Sequence, residues 1–142
     1  VTNSVVRKIC DEPVSLYARS DHPLVGKKIE TAQLGEHHHL LWALSCCYSA
    51  AFARCLQKAG CPSFSYMEFI NTETIKQCAL SGLGIATVTD ITVAKEVGEG
   101  SLVKLDWELG EIFSSYMLWN KYRAEYPALK YFIEQAERHF IG

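Results

Sequence analysis

Ser45-Cys46-Cys47-Tyr48 places a hydroxyl, two thiols and a phenol where an apolar run gives way to a helical pattern. Backbone amides at a helix start point outward and favour negative charge, so this corner suits a carboxylate, sulfate or phosphate group of a small ligand. A thiol in a first helical turn is also expected to have a lowered pKa and more reactive thiolate, which opens a redox reading for Cys46 or Cys47 with Cys55 further along. Against both stands the plain alternative of an N-cap followed by two small buried residues. Asn71 and Thr72 open a second helical pattern, where their side chains either cap the helix or touch a ligand. Thr89 and Asp90 follow a third apolar run. His37-His38-His39 invites a metal reading, but neighbouring residues of an extended segment point to opposite sides and no zinc-module spacing follows. A solvated loop entering a strand is the expectation there. No nucleophile elbow, P-loop or paired-carboxylate motif is present, and Gly82-Leu83-Gly84 lacks the context of a dinucleotide fingerprint, so no enzyme activity, cofactor or metal is expected.

The elements that must position these groups follow from periodicity. Residues 5–9 and 14–18 read as strands split by Asp11-Glu12-Pro13. A short helical piece near residues 31–34 precedes an apolar strand at 40–44. Ser45 is the expected N-cap of a helix over about 46–59, with Tyr48, Phe52, Cys55, Leu56 and Ala59 along one side. Residues 65–70 form the next strand. The segment 71–90 reads as a helix with Ile75, Cys78, Ala79 and Leu83 on its buried face, a stop at Gly82 and Gly84, and a buried strand of Ile85, Ala86 and Val88. Gly84 is also expected to allow a close helix–strand approach. A short helix at 93–97, strands at 102–105 and 112–119, and a last helix opened by Pro127 complete the list. Leu129, Phe132, Ile133, Ala136 and Phe140 form the expected buried stripe of that helix. Strand, helix, strand, helix, strand from residue 40 onward predicts an α/β fold with parallel strands, whose ligand edge is the carboxyl end of the strands.

The totals exclude several classes. With 142 residues, 49% hydrophobic and 21% charged, the chain can bury a real core. A net charge of -2 without a basic run gives no electrostatic footprint for nucleic acid. No apolar stretch approaches the roughly 20 residues needed to span a bilayer. The 6 cysteines fall mostly inside helix or strand patterns, which points to a reducing, cytoplasmic compartment.

Four segments together carry a resemblance: EPVSLYARSDHPL from Glu12, TETIKQCALSGLGIATV from Thr72, VAKEVGEGSLVKL from Val93 and PALKYFIEQA from Pro127. In this order, with ETIK, GLGIA and a later G-x-L-V-x-L, they resemble the effector-binding domain of LysR-type bacterial transcriptional regulators. The resemblance implies a type 2 periplasmic-binding-protein-like fold: two Rossmann-like lobes joined by two crossing strands, with a small effector between them. Residues 1–18 and 114–142 would be part of lobe I, which would be incomplete, and residues 19–113 lobe II. It implies a homodimer or homotetramer, and DNA binding only through a winged helix-turn-helix that this sequence does not contain. Ser45, Cys46, Cys47 and Tyr48 match a family position often written G-C-S-Y-R, where the glycine is Ser45 and the arginine Ser49. The implied effector-binding set is Ser45, Cys46, Cys47, Tyr48, Asn71, Thr72 and Thr89, with Ser15, Tyr17, Ser114 and Ser115 near the cleft floor. The effector is expected to be a small metabolite, carboxylate or inorganic anion. The alternative implied by the peroxide-sensing relatives is a thiol switch in which Cys47 reacts and Cys55 resolves.

Overall fold

A computed structural model describes residues 3–142, so the first two residues of the expected lobe I lie outside the described residues. By contacts the chain divides into two units, residues 13–111 and residues 3–12 with 112–142, against divisions at 18/19 and 113/114 expected from the sequence.

The larger unit is a five-stranded sheet. Its strands are β2 (Val14–Arg19), β3 (His39–Trp42), β4 (Tyr66–Phe69), β5 (Ile85–Thr89) and β6 (Leu102–Lys104), in the order β4-β3-β5-β2-β6. β3 runs parallel to both β4 and β5, as the alternating pattern predicts. β2 runs antiparallel to β5 and β6, so the sheet is mixed. The helices are α1 (Thr31–Leu34), α2 (Cys47–Lys58), α3 (Thr72–Leu80) and α4 (Ala94–Gly98), with a 3-10 turn at Asp90–Val93. The chain steps from β3 to β4 on one side through α2 and returns past β3 to β5 through α3. Right-handed crossovers in opposite directions put the two helices on opposite faces.

Each face has its own core. Ile75 and Ala79 of α3 pack with Leu40, Ala86, Val88, Tyr17, Val93 and Leu102. On the α2 face Phe52 stacks against His39 at 4.9 Å and meets Phe64 and Trp107 edge-on at 5.8 and 5.7 Å. Leu83, expected on the buried face of α3, is 53% exposed because the helix stops at Leu80 and Gly82 turns the chain at φ 78°. Leu83 N–H then closes the helix end on the Cys78 carbonyl at 3.1 Å. Gly84 has a tighter reason to be glycine: a Cβ there would stand 2.5 Å from the His38 carbonyl oxygen. The close approach is thus of strand to strand, not of helix to strand.

The smaller unit pairs β1 (Ser4–Glu12) antiparallel with β7 (Phe113–Asn120), with a register shift between Lys8 and Cys10. A 3-10 turn at Lys121–Arg123 leads to α5 (Pro127–Phe140). The expected buried stripe of α5 is not buried: no residue of the helix reaches that class, and Phe132 is 61% exposed. Two strands do not cover the apolar side of a helix this long.

His39 corrects another expectation. It is not in a solvated loop; it is the first residue of β3, fully buried, with Nε2–H donating to the Leu34 carbonyl at 2.6 Å. Burial pushes its pKa from 6.5 down to about 4. The neutral ring is the folded form, so its contribution is complete above pH 6.5 and is lost as pH falls toward 4. Urea unfolding is expected to show about 2 kcal/mol less stability at pH 5 than at pH 7.5 from this residue. A His39→Phe variant should lose most of that pH dependence; an equal acid drop in both proteins would show that His39 is not the cause.

Candidate functional site

Parallel β3, β4 and β5 end on one edge of the larger unit, and each leads within a few residues into helical backbone. Beyond Trp42 a turn through Ala43, Leu44 and Ser45 leads to α2. Beyond Phe69, Ile70 leads to α3. β5 passes at Thr89 into the 3-10 turn, where Asp90 N–H donates to the Pro13 carbonyl at 2.8 Å. Seven of the sequence-named residues, Ser45, Cys46, Cys47, Tyr48, Asn71, Thr72 and Thr89, fall on these three corners.

The two long helices start differently. Asn71 is the N-cap of α3, and its side-chain oxygen accepts from Thr74 N–H at 3.2 Å. That amide and that side chain are therefore already used. α2 is capped one residue later than expected: the N-cap is Cys46, with extended backbone, and its side chain makes no capping hydrogen bond to the first-turn amides. A thiol is a poor acceptor, so the orphan amides of this turn receive no cap of the Ser or Asp kind. Ser45 is exposed in the preceding turn, Cys47 is exposed, and Cys46 and Tyr48 are half-buried.

The Cys47 thiol does not behave as the first-turn position predicts. Burial raises the Cys47 pKa, the neighbouring Cys46 adds to the rise, and the amides of Tyr48 and Cys47 only partly oppose it. Tyr48 is pushed up to about 12 by burial and by Cys46. Cys55 is half-buried two turns along α2, its thiol directed to the Leu109 carbonyl at 3.8 Å. Eight residues of helix separate it from Cys47, about 12 Å of rise. A raised Cys47 pKa and this separation do not favour the thiol switch.

The third corner is a hydrogen-bonded cluster. Thr89 and Thr92 share a hydroxyl–hydroxyl bond of 2.8 Å. Tyr17 O–H donates to Asp90 at 2.8 Å. Lys104 lies 3.6 Å from the other Asp90 oxygen. Ser15 is buried on β2, two residues before Tyr17. Ser114 and Ser115 belong to the smaller unit, where their hydroxyls donate to Asp11 and Glu12 at 2.8 Å each.

Sequence reasoning missed Glu68. It sits on edge strand β4 opposite Leu41, and its carboxylate accepts from Leu44 N–H at 3.4 Å, beside the turn into α2. Only the register of β4 on β3 reveals that placement. It also missed two buried hydroxyls, Ser49 and Thr87, that have no hydrogen-bond partner among the described residues. The histidines do not converge: His38 bonds Ser65 at 2.6 Å, His37 stacks on His22 at 5.0 Å, and His39 is in the core. Among the described residues no group of three or more His, Cys, Asp and Glu is placed to hold a metal.

Comparison with known proteins adds a family. The model described as LysR substrate binding domain matches residues 2–141. An uncharacterised HTH-type transcriptional regulator, YwqM of Bacillus subtilis, is 26% identical over 136 residues, covering 95% of this chain and 46% of that protein. A RuBisCO operon transcriptional regulator of Acidithiobacillus ferrooxidans is 31% identical over 129 residues, covering 90% of this chain and 40% of its own length. The chain therefore spans less than half the length of these relatives. Among solved structures, the regulatory domain of CcmR from Synechocystis PCC6803 in complex with 2-PG superposes with a TM-score of 0.77 at 19% identity, over 97% of this chain and 67% of that one.

Three measurements check this geometry. Thiol titration against pH should place the Cys47 midpoint above that of an ordinary cysteine, and mass spectrometry after peroxide should find no Cys47–Cys55 disulfide; finding that crosslink would restore the redox reading. Replacing Asn71 by Ala should cost about 1 kcal/mol of stability through loss of the cap.

Proposed function

We propose that this chain, which belongs to the LysR substrate-binding domain family, senses a small-molecule effector at the uncapped start of α2. It is a ligand-binding regulatory domain with a periplasmic-binding-protein-like fold, and its relatives are transcriptional regulators. The observation that carries the location is the contrast between the helices: α3 closes its own first turn with Asn71, whereas α2 leaves that of Cys47 without a side-chain cap. A ligand carboxylate or other anion would take the place of the missing cap, where aligned amides and the helix dipole favour it.

In this reading Ser45, Cys46, Cys47 and Tyr48 form the contact surface, and Thr72 and Thr89 flank it on the neighbouring corners. Asn71 supports α3, Tyr17 holds Asp90, and Ser114, in the smaller unit, is held by Asp11. That CcmR was solved with 2-PG supports a small effector on this fold. Binding would bias the regulator's conformational equilibrium only by its differential affinity for two states. Assembly into dimers or tetramers, DNA contact through another part of the protein, and a cytoplasmic setting belong to the same proposal. Among the described residues no helix is long and apolar enough to cross a membrane.

Calorimetry with a panel of small carboxylates tests the location. Cys47→Trp fills the exposed position beside the first turn and is expected to weaken any binding at least tenfold, with the melting temperature little changed. Unaltered affinity would place the effector elsewhere.

A further inference from the structure

We propose that this edge selects hydroxylated effectors carrying at most one negative charge, and that Glu68 sets the limit. The inference rests on the location proposed above and concerns what that location accepts.

Consider the charges on the three corners. No Lys or Arg occurs from Ala43 to Ala53, from Ile70 to Ile75 or from Thr89 to Ala94. Cations on the adjoining elements are engaged by acids: Lys104 by Asp90 at 3.6 Å, Lys76 by Glu73 and Glu96 at 3.0 and 3.1 Å, Lys95 by Glu99 at 3.9 Å, and Arg54 by Glu111 at 3.4 Å. Glu68 differs from these acids. It has no cationic partner among the described residues, and its carboxylate lies on the Leu44 amide that leads into α2. The positive end of a helix amounts to about half a charge, enough to favour one carboxylate. A second negative charge on the ligand would meet Glu68 with nothing to offset it.

The same place offers neutral hydrogen bonding. Ser49 stands in the uncapped first turn of α2, fully buried, with its hydroxyl unpartnered. Thr87 is likewise buried and unpartnered. Ala86 and Val88 pack with α3, so Thr87 faces the other way, toward the α2 side of β5, and α2 packs on β5. Two hydroxyls deprived of water and of partners are costly to leave unmade. A ligand hydroxyl or carboxylate oxygen entering at the helix start would meet the Ser49 hydroxyl, which a ligand recognised by charge alone would not; Thr87, in the middle of β5, lies further from that start. Ser49 thus does with a neutral group what an arginine at that place would do with charge.

Matched pairs of probes separate the contributions: glycerate with 3-phosphoglycerate, and shikimate with shikimate 3-phosphate, titrated at one ionic strength because screening alters such contrasts. The wild-type chain is expected to bind the hydroxy acid of a pair about tenfold more tightly than its phosphate ester. Glu68→Gln, an exposed and nearly isosteric change, should improve the phosphate ester about fivefold and move the parent acid less than twofold. Ser49→Ala should weaken the parent acid about threefold. Tighter binding of the phosphate ester by wild type, or an unchanged ratio in Glu68→Gln, overturns the charge limit. Cys47→Trp keeps the two questions apart. If it abolishes binding while Glu68→Gln changes nothing, the location stands and the charge limit falls; if it leaves binding intact, the location itself falls.

Discussion

The constraint on which the rest depends is the double parallel pairing of β3. Its backbone is hydrogen-bonded to β4 on one side and β5 on the other, and the second contact is made at Gly84, where Ile85 N–H reaches the His38 carbonyl at 2.9 Å. A side chain at Gly84 would occupy that oxygen's position. Once β3 has parallel neighbours on both sides, the crossovers must run in opposite directions, and α2 and α3 must cover opposite faces. Both helices then start at the same sheet edge, separated by one strand. The proposed site is thus a consequence of strand order before it is a matter of particular side chains.

Which of the two helix starts serves a ligand is decided by a smaller effect. Asn71 and Cys46 occupy the same structural position, the extended residue before the first turn. The amide oxygen of Asn71 reaches Thr74 N–H; the thiol of Cys46 offers no such bond. A cap of this kind contributes about 1 kcal/mol, so its omission at α2 is a modest cost in stability that leaves donors for something else. The raised pKa of Cys47 fits the same picture, because a neutral thiol neither competes for those amides as an anion nor repels a ligand carboxylate.

Much of the larger unit was legible in the sequence because its elements obey simple periods. Ile75 and Ala79 lie where a 3.6-residue repeat puts them, and Ile85, Ala86 and Val88 are buried as an unbroken apolar strand should be. What escaped was whatever depends on a partner distant in sequence. The antiparallel placement of β2, the core role of His39 and the reach of Glu68 to Leu44 all follow from register across strands, which composition and spacing do not encode. The N-cap moved from Ser45 to Cys46 because the turn before α2 is closed by Cys46 N–H on the Ala43 carbonyl at 2.8 Å, a local turn that overrides the better capping side chain. Residue type alone favours serine there.

The smaller unit shows the limit of periodicity from the other side. The stripe of Leu129, Phe132, Ile133, Ala136 and Phe140 has a proper helical repeat, and α5 forms as expected, yet none of these residues is buried. Periodicity reports that a helix has an apolar side; it does not report how much surface exists to receive it. A two-stranded antiparallel pair is a marginal support by itself, and here it offers α5 the Arg7–Glu137 ion pair between half-exposed groups, not a core. The larger unit has the opposite balance, with Leu16, Leu40, Leu41, Phe52, Leu56 and Ile75 fully buried. That unit can therefore carry an uncapped helix and two unpartnered hydroxyls, Ser49 in the first turn of α2 and Thr87 in the middle of β5, at a cost of a few kcal/mol. Groups left unmatched in an otherwise well-packed unit are a reason to look for the ligand there, on the α2 side of the sheet.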